Sequence, residues 1–424
     1  MTTSASSKNN NDPTTPHIVY ILTKLELGGA QKVCLSLMQN LERSGVSVSL
    51  ITGSEGVLVP EAQKFSSVFF LPSFKRDISI KGMWGEIKNF FAIIKILRGL
   101  KKQYQHIIVH THSTKAGLIG RWAALLVGIK HRIHTVHGYG FHEYQSWARW
   151  LPIYLLELIT SFITTHFVCV SGHDRRTGMR LFPRFAKKSS LIRAAVEWEK
   201  FTPACTMSNC SSTVRSNGST SSPRAPSLNT HTNLKTDSKP FIIGTVACFK
   251  PQKNLFDLLQ AFKQAHHTIV QGGGTAPGLQ IIGDGILRPS IEAWIKHEQL
   301  THAVSLLGWQ HDVAGWMHQW DLFALSSLWE GLPCSVVEAR LCKLPVVSYS
   351  VGGVPEVIHN NTNGFLITPK DWPGLATTIT RLITDQHLYT TLRNHHDDLQ
   401  DFNDIVMAKN HSLLYQKVLQ ASHK

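Results

Sequence analysis

A chain of 424 residues is too long for one hydrophobic core, and a composition that is 42% hydrophobic and only 17% charged excludes global disorder, so two folded domains are expected. The formal net charge of +15 suits nucleic acid, an anionic membrane face or a phosphorylated ligand; without zinc-finger spacing or an RNA-binding signature, nucleic acid is set aside. Seven scattered cysteines with no C-x-x-C pair, and an N-terminus (MTTSASSKNNNDPTT) without an apolar signal segment, point to a reducing, cytoplasmic setting.

Residues 1–16 are polar and read as disordered. A short β-rich apolar run over 17–22 predicts a strand buried on both faces. A helix over 30–43 follows, with Val33, Leu37, Met38 and Leu41 on one side, and then a strand over 46–52. Strand, helix, strand at this spacing is a βαβ unit and implies a parallel sheet. The alternation continues with a strand over 68–71, a helix over 83–100, a strand over 106–110, a helix over 116–127 and a strand over 132–136. The most apolar stretch, 150–170, is interrupted by Pro152, Glu157 and His166, and reads as a buried helix followed by a strand rather than a membrane span. Strands over 166–170 and 190–192 complete an N-terminal domain over 17–202.

Residues 203–239 are dominated by Ser, Thr and Asn and read as a disordered insertion. A second domain over 240–398 restarts with a strand over 241–246 and a helix over 255–266. Strands over 278–282, 304–307, 322–324, 345–349 and 364–368 follow, interleaved with helices over 288–298, 313–319, 335–341 and 371–384. Residues 399–424 end in a helix expected to cross back to the N-terminal domain. The pattern is therefore α/β: two Rossmann-like parallel-sheet domains facing a central cleft, with ligands outside the carboxyl ends of the strands.

Several loops carry candidate chemistry. Gly28-Gly29 lies between the first strand and first helix, where glycine lets a ligand approach backbone and the helix N-terminus favours anions; alone, the pair is equally a tight turn. The full G-x-G-x-x-G and P-loop patterns are absent, which counts against a simple dehydrogenase and a P-loop kinase. Lys250 and Lys253 flank the first βα loop of the second domain and suit a diphosphate. Glu330 and Glu338 stand eight residues apart, one before a Gly331-Leu332-Pro333 turn and one on the next helix, so both can face one cleft and accept hydrogen bonds from sugar hydroxyls. Gly352-Gly353 follows another strand and is a further candidate anion or sugar loop.

In this order the loops resemble family 4 glycosyltransferases, a large retaining group with the GT-B fold. The resemblance runs from His17 to about Leu382 without the insertion and is strongest in EGLPCSVVEARLCKLPVVSYSVGGVPEVI, from Glu330 to Ile358. It implies a nucleotide diphosphate sugar as substrate, with neither cofactor nor metal. It places Glu330 against the donor sugar, Gly331, Leu332 and Pro333 around sugar hydroxyls and phosphate, and Glu338 on the ribose. Lys253 would hold the departing diphosphate, Gly28 and Gly29 would face it, and His137 would lie near the reacting sugar. The acceptor implied is lipid-linked or a glycan. Two positions depart from the family: Cys248 stands where Arg is usual, with Lys250 as a substitute cation, and Lys343 stands where glycine is common.

His110 and His112 share a strand face, but no third ligand follows, so a structural role outweighs a metal site. The basic amphipathic stretch over 87–102 suits either the core or an anionic leaflet, which allows a peripheral place on the inner face of the plasma membrane. Two rival readings stay open on sequence: a nucleotide-sugar epimerase, and a non-catalytic membrane-surface scaffold of the same fold.

Overall fold

The computed structural model describes residues 16–74, 83–202 and 239–421, so the segments read as disordered lie, but for Pro16 and Lys239, outside the described residues. The first half alternates β1 (His17–Ile21), α1 (Gly29–Arg43), β2 (Val48–Gly53), α2 (Val59–Ala62), β3 (Val68–Leu71), α3 (Met83–Gln103), β4 (Ile107–His112) and α4 (Thr114–Leu126). It continues with β5 (His131–Val136), α5 (Trp147–Ile163), β6 (His166–Cys169), α6 (Gly172–Leu181), β7 (Ser189–Leu191) and α7 (Trp198–Phe201). The second half runs through β8 (Ile242–Val246), α8 (Leu255–Gln271), β9 (Gly278–Ile282), α9 (Arg288–His297), β10 (Val304–Gly308), α10 (Val313–Met317) and β11 (Leu322–Leu325). It ends with α11 (Cys334–Leu341), β12 (Val346–Tyr349), β13 (Gly364–Ile367), α12 (Trp372–Thr384), α13 (Gln386–Asn394) and α14 (Asp404–Gln420).

The strands form two wholly parallel sheets, ordered β3-β2-β1-β4-β5-β6-β7 and β10-β9-β8-β11-β12-β13. Every residue of β1 and β4 is buried, as expected of strands covered by helices on both faces. In each sheet the chain winds outward from one central strand and then resumes on that strand's other side, between β1 and β4 and between β8 and β11. Crevices open at the carboxyl ends of such strands, and the loops after β1, β8 and β11 contain Gly28-Gly29, Lys250–Lys253 and Glu330–Pro333.

The last helix returns to the first domain. Asn403 caps α14 by accepting the N–H groups of Ile405 and Val406. Asn40 of α1 donates to Asp404 at 3.1 Å. The Tyr415 hydroxyl sits 2.7 Å from both the Tyr20 hydroxyl and His110 Nδ1. His110 Nε2 pairs with the Thr135 hydroxyl at 2.7 Å, so both its ring nitrogens are held by protein hydroxyls.

Two expectations need correction. The strand expected over 106–110 runs on to His112, because the polar run His110-Thr111-His112 is fully buried with side-chain partners. Helix α5, expected to be buried, is not: Leu151, Leu155, Leu156, Ile159 and Phe162 are exposed while Glu157, Thr160 and Ser161 are buried. The reason is specific pairing. Arg121 of α4 donates to Glu157 at 2.9 Å and to Thr164 at 2.8 Å, and Trp122 donates to Thr160 at 3.0 Å, which anchors the polar side of α5 inward. In α3, by contrast, Ile93, Ile94, Leu97 and Leu100 enter the core under the sheet and Phe91 stays outside.

Candidate active site

The loops after the central strands meet across the two domains. Gly28 stands at the N-cap of α1 and Pro333 at that of α11; neither helix has a side-chain cap nor an acidic residue in its first turn. A Cβ on Gly29 would stand 3.5 Å from Cys334 Sγ, so the two uncapped N-termini converge on one point. Two helix N-termini aimed at one space make a site for an anion. Glycine is required at the facing positions: a Cβ on Gly331 would lie 2.6 Å from the His137 carbonyl, and Gly138 takes φ +96° against the Gly331 backbone.

Lys253 sits at the end of the loop after β8, where Ser326 donates to the Lys253 and Asn254 carbonyls at 3.1 and 2.9 Å. Its ammonium is paired with Glu330 Oε1, and Gln252 donates to the Trp329 carbonyl at 2.8 Å and to Glu330 Oε2 at 3.4 Å. Lys250 reaches into the other domain and pairs with Glu26 at 2.9 Å, and Glu26 also meets Lys24 at 3.3 Å. Burial would raise the Glu26 carboxyl, but the bonds from Lys250 and Lys24 outweigh it and hold the pKa below the usual value. Cys248 stands at the same domain boundary, its Sγ 3.8 Å from the Leu27 carbonyl.

Glu338 is buried on α11, and that burial raises its pKa; the Lys32 charge works the other way, and Glu197 adds to the rise. Burial likewise pushes the Cys334 thiol up to about 12, with Glu338 and Glu330 raising it and Lys32 and Lys253 opposing, so it is a neutral wall of the site and no nucleophile. Lys32, on the first turns of α1, was missed by the sequence reading. Its only signal is its place three residues after Gly28-Gly29 on a helix facing the second domain.

His137 lies at the rim, its Nε2 2.9 Å from His112 Nδ1. Burial holds its pKa down to about 3, so the ring is neutral. Among the described residues His112 Nε2 has no hydrogen-bond partner, which favours the arrangement in which His112 donates through Nδ1 and His137 keeps its own proton on Nδ1. Trp329 stacks on His142 at 3.8 Å and lies 5.6 Å from Tyr144, which Lys370 covers at 4.9 Å. This aromatic bridge between the domains was also missed, because its members are 187 residues apart in the chain.

Gly352 and Gly353 pack against the Glu330–Gly331 backbone. A Cβ on Gly352 would lie 1.9 Å from the Glu330 carbonyl oxygen, and the Gly353 N–H donates to the Gly331 carbonyl at 2.7 Å. The loop therefore buttresses the Glu330–Gly331 backbone. The same loop joins the domains through Glu356, which accepts N–H groups from Gly172 at 2.8 Å and His173 at 2.7 Å at the start of α6 and pairs with Arg193. Burial would raise Glu356, but these bonds together hold it below the ordinary carboxylate value. Among the described residues, no group of three or more His, Cys, Asp or Glu is arranged to hold a metal ion.

Residues 27–197 match the model described as Glycosyltransferase Family 4, and residues 228–397 the model described as Glycosyl transferases group 1. The chain is 28% identical over 370 residues to the Escherichia coli UDP-Gal:alpha-D-GlcNAc-diphosphoundecaprenol alpha-1,3-galactosyltransferase, covering 87% of this chain and 88% of that protein. It is 23% identical to the Campylobacter jejuni N,N'-diacetylbacillosaminyl-diphospho-undecaprenol alpha-1,3-N-acetylgalactosaminyltransferase, covering 79% and 82% of the two chains. Among solved structures, sucrose-phosphate synthase from Thermosynechococcus elongatus superposes with a TM-score of 0.73 at 16% identity, over 96% of this chain and 100% of the other. Anabaena HepE in complex with UDP and glucose superposes with a TM-score of 0.68 at 16% identity, over 96% and 99%. These structures share the fold, the two-sheet GT-B arrangement.

Proposed function

We propose, from the premise that this chain belongs to the family 4 glycosyltransferases, that it transfers a sugar from a uridine diphosphate donor to a polyprenyl-diphosphate-linked glycan, with retention of anomeric configuration, working at a membrane surface. The observation that carries the reading is the convergence of the α1 and α11 N-termini at Gly29 and Cys334, flanked by the Lys253–Glu330 pair and backed by Glu338. UDP as the nucleotide and a lipid-linked acceptor are supported by what the Escherichia coli relative is named for.

In this reading the donor diphosphate enters between the two uncapped helix ends. Lys253 turns from Glu330, and Lys250 from Glu26, toward its oxygens, with Lys32 contributing from α1. The arrangement stabilises charge that grows on the leaving diphosphate as the glycosidic bond breaks, which is where fixed cations and N–H groups give most rate. Glu338 accepts the ribose hydroxyls. Glu330, freed from Lys253, and His137, a neutral ring with a proton on Nδ1, orient the sugar hydroxyls. The close contact of Gly138 with Gly331 keeps water out and aligns the acceptor.

The test is incubation with a panel of UDP-sugars and a diphospho-polyprenol-linked N-acetylhexosamine, with product mass and the anomeric proton coupling read out. One UDP-sugar is expected to add a single residue with its donor configuration kept. Conversion of a donor without acceptor would identify an epimerase instead, and the absence of any turnover or UDP binding would sink the reading.

A further inference from the structure

We propose that the outer face of α5, with the basic edge of α3 on the far side of α4, is a docking surface that lies on an anionic lipid leaflet; it rests on the lipid-linked-acceptor reading for its purpose. Sixteen large apolar side chains are exposed among the described residues, and six of them are on α5: Trp147, Leu151, Leu155, Leu156, Ile159 and Phe162. Their spacing puts them on one helical face. The exposure is large, 78% for Trp147 and 67% for Phe162.

The polarity of α5 is inverted relative to a helix that faces water. Its one acid, Glu157, is buried on Arg121 at 2.9 Å, and Thr160 and Ser161 are buried with it. Placing the leucines outside and the ion pair inside costs free energy in water and is favourable where the outside is hydrocarbon. With 17 residues, a central Pro152 and Glu157, α5 does not span a bilayer, and no described helix is long and apolar enough to do so. It suits a helix lying in the plane of the interface.

Charge selects the occupant. No acidic side chain is on the outer face of α5, while Arg149 is exposed near its start. Near its end, Lys188 bonds the Thr164 carbonyl at 3.2 Å and also the Ser161 carbonyl, which brings the exposed Arg184 and Lys187 alongside. Helix α4 packs between α5 and α3. On α3, Phe91 opens a groove of about 320 Å³ lined also by Lys95, Arg98 and Lys102. An apolar stripe flanked by cations matches acyl chains flanked by anionic headgroups. A second copy docked on this face by a two-fold would set Arg149, Arg184 and Lys187 against their own kind, which disfavours that partner.

The test is co-sedimentation of the full chain with vesicles of phosphatidylglycerol and phosphatidylcholine. Wild type is expected to pellet with the mixed vesicles and less with pure phosphatidylcholine. Leu156→Ser, Ile159→Ser and Phe162→Ser combined should lower the partition by about tenfold or more. Arg184→Gln with Lys187→Gln should lower it by about fivefold for each cation removed. Ile405→Ser with Leu413→Ser on α14, equally exposed, should change nothing. An unchanged UDP-induced thermal shift shows that each variant is folded. If the α5 triple variant pellets like wild type, the proposal fails. It also fails if sedimentation velocity shows a wild-type dimer that the triple variant dissociates while vesicle partition stays the same, since the occupant is then a second copy. Transfer to a water-soluble short-chain acceptor separates this outcome from the functional reading: its absence in wild type defeats the function and leaves the vesicle result to decide the surface.

Discussion

At the scale of single residues, backbone conformation or charge leaves little choice at a few positions. Lys343 holds φ +61° just past the end of α11, with its N–H on the Arg340 carbonyl at 3.0 Å and the Leu344 N–H on the Ala339 carbonyl at 2.9 Å. That is a left-handed helix end, the conformation that makes glycine common there and costs a side-chain residue about 1 kcal/mol. Lys343→Gly is expected to raise stability by roughly that amount, read as a higher urea midpoint; a lower midpoint would contradict it. Lys250 makes a different case. Its pair with Glu26 is about one-third exposed, so Lys250→Ala should leave the melting temperature nearly unchanged. If Lys250 replaces the cation absent at Cys248, the same variant should raise KM for the donor about tenfold; an unchanged KM would mean that Lys253 and Lys32 suffice. Glu330 and Glu338 were visible as candidates by their eight-residue spacing, and Lys253 by its place in a βα loop. Lys32 and Trp329 were not, since each matters only through partners brought together by the fold.

At the scale of elements, the alternation of strand and helix was legible almost throughout, because strands buried on both faces are short apolar runs and the helices between them repeat every three to four residues. It failed where polar residues are buried with partners distant in sequence. The end of β4 was missed because the polar Thr111 and His112 are satisfied by His134 and His137, 23 and 25 residues further along the chain. The facing of α5 was misread because hydropathy registers how apolar a segment is and not which side Arg121 holds inward. The domain contact gives an element-scale prediction. A Cβ on Gly331 would meet the His137 backbone at 2.6 Å, so Gly331→Ala should push the loop before α11 away from the loop after β5. Neither sheet is touched, and far-UV circular dichroism should stay as in wild type. Turnover should fall by about 100-fold, since misplacement near 1 Å at a reacting centre has effects of that size; unchanged turnover would show that this contact does not set the alignment.

At the scale of the whole molecule, burial of histidine ties stability to pH. Burial holds His17, His110, His112, His134, His137, His166 and His411 below their ordinary value, to about 4 for His17, His166 and His411 and about 3 for His137. Each is neutral in the folded chain at a pH where the unfolded chain takes up a proton. Their stabilisation is therefore complete above pH 6.5 and is lost as pH falls toward 4. Each contributes a slope of up to about 1.4 kcal/mol per pH unit over the range in which only the unfolded chain is protonated. Asp174 acts in the opposite sense: burial raises it to about 7, so it gains a proton and stabilises the fold as pH drops, but it is one group against several. Thermal melts should fall steeply between pH 7 and pH 5, and a flat profile would show that the histidines are not buried as described. The two-domain fold, the charge and the converging helix ends together make one central claim, that the cleft between the sheets is the donor site. Isothermal titration of UDP into the wild-type chain and into Glu338→Ala tests it most directly. A single site is expected in wild type, weakened about 10- to 100-fold in the variant by loss of a charge-assisted hydrogen bond. Absence of UDP binding to wild type, or equal affinity in the two, would contradict it.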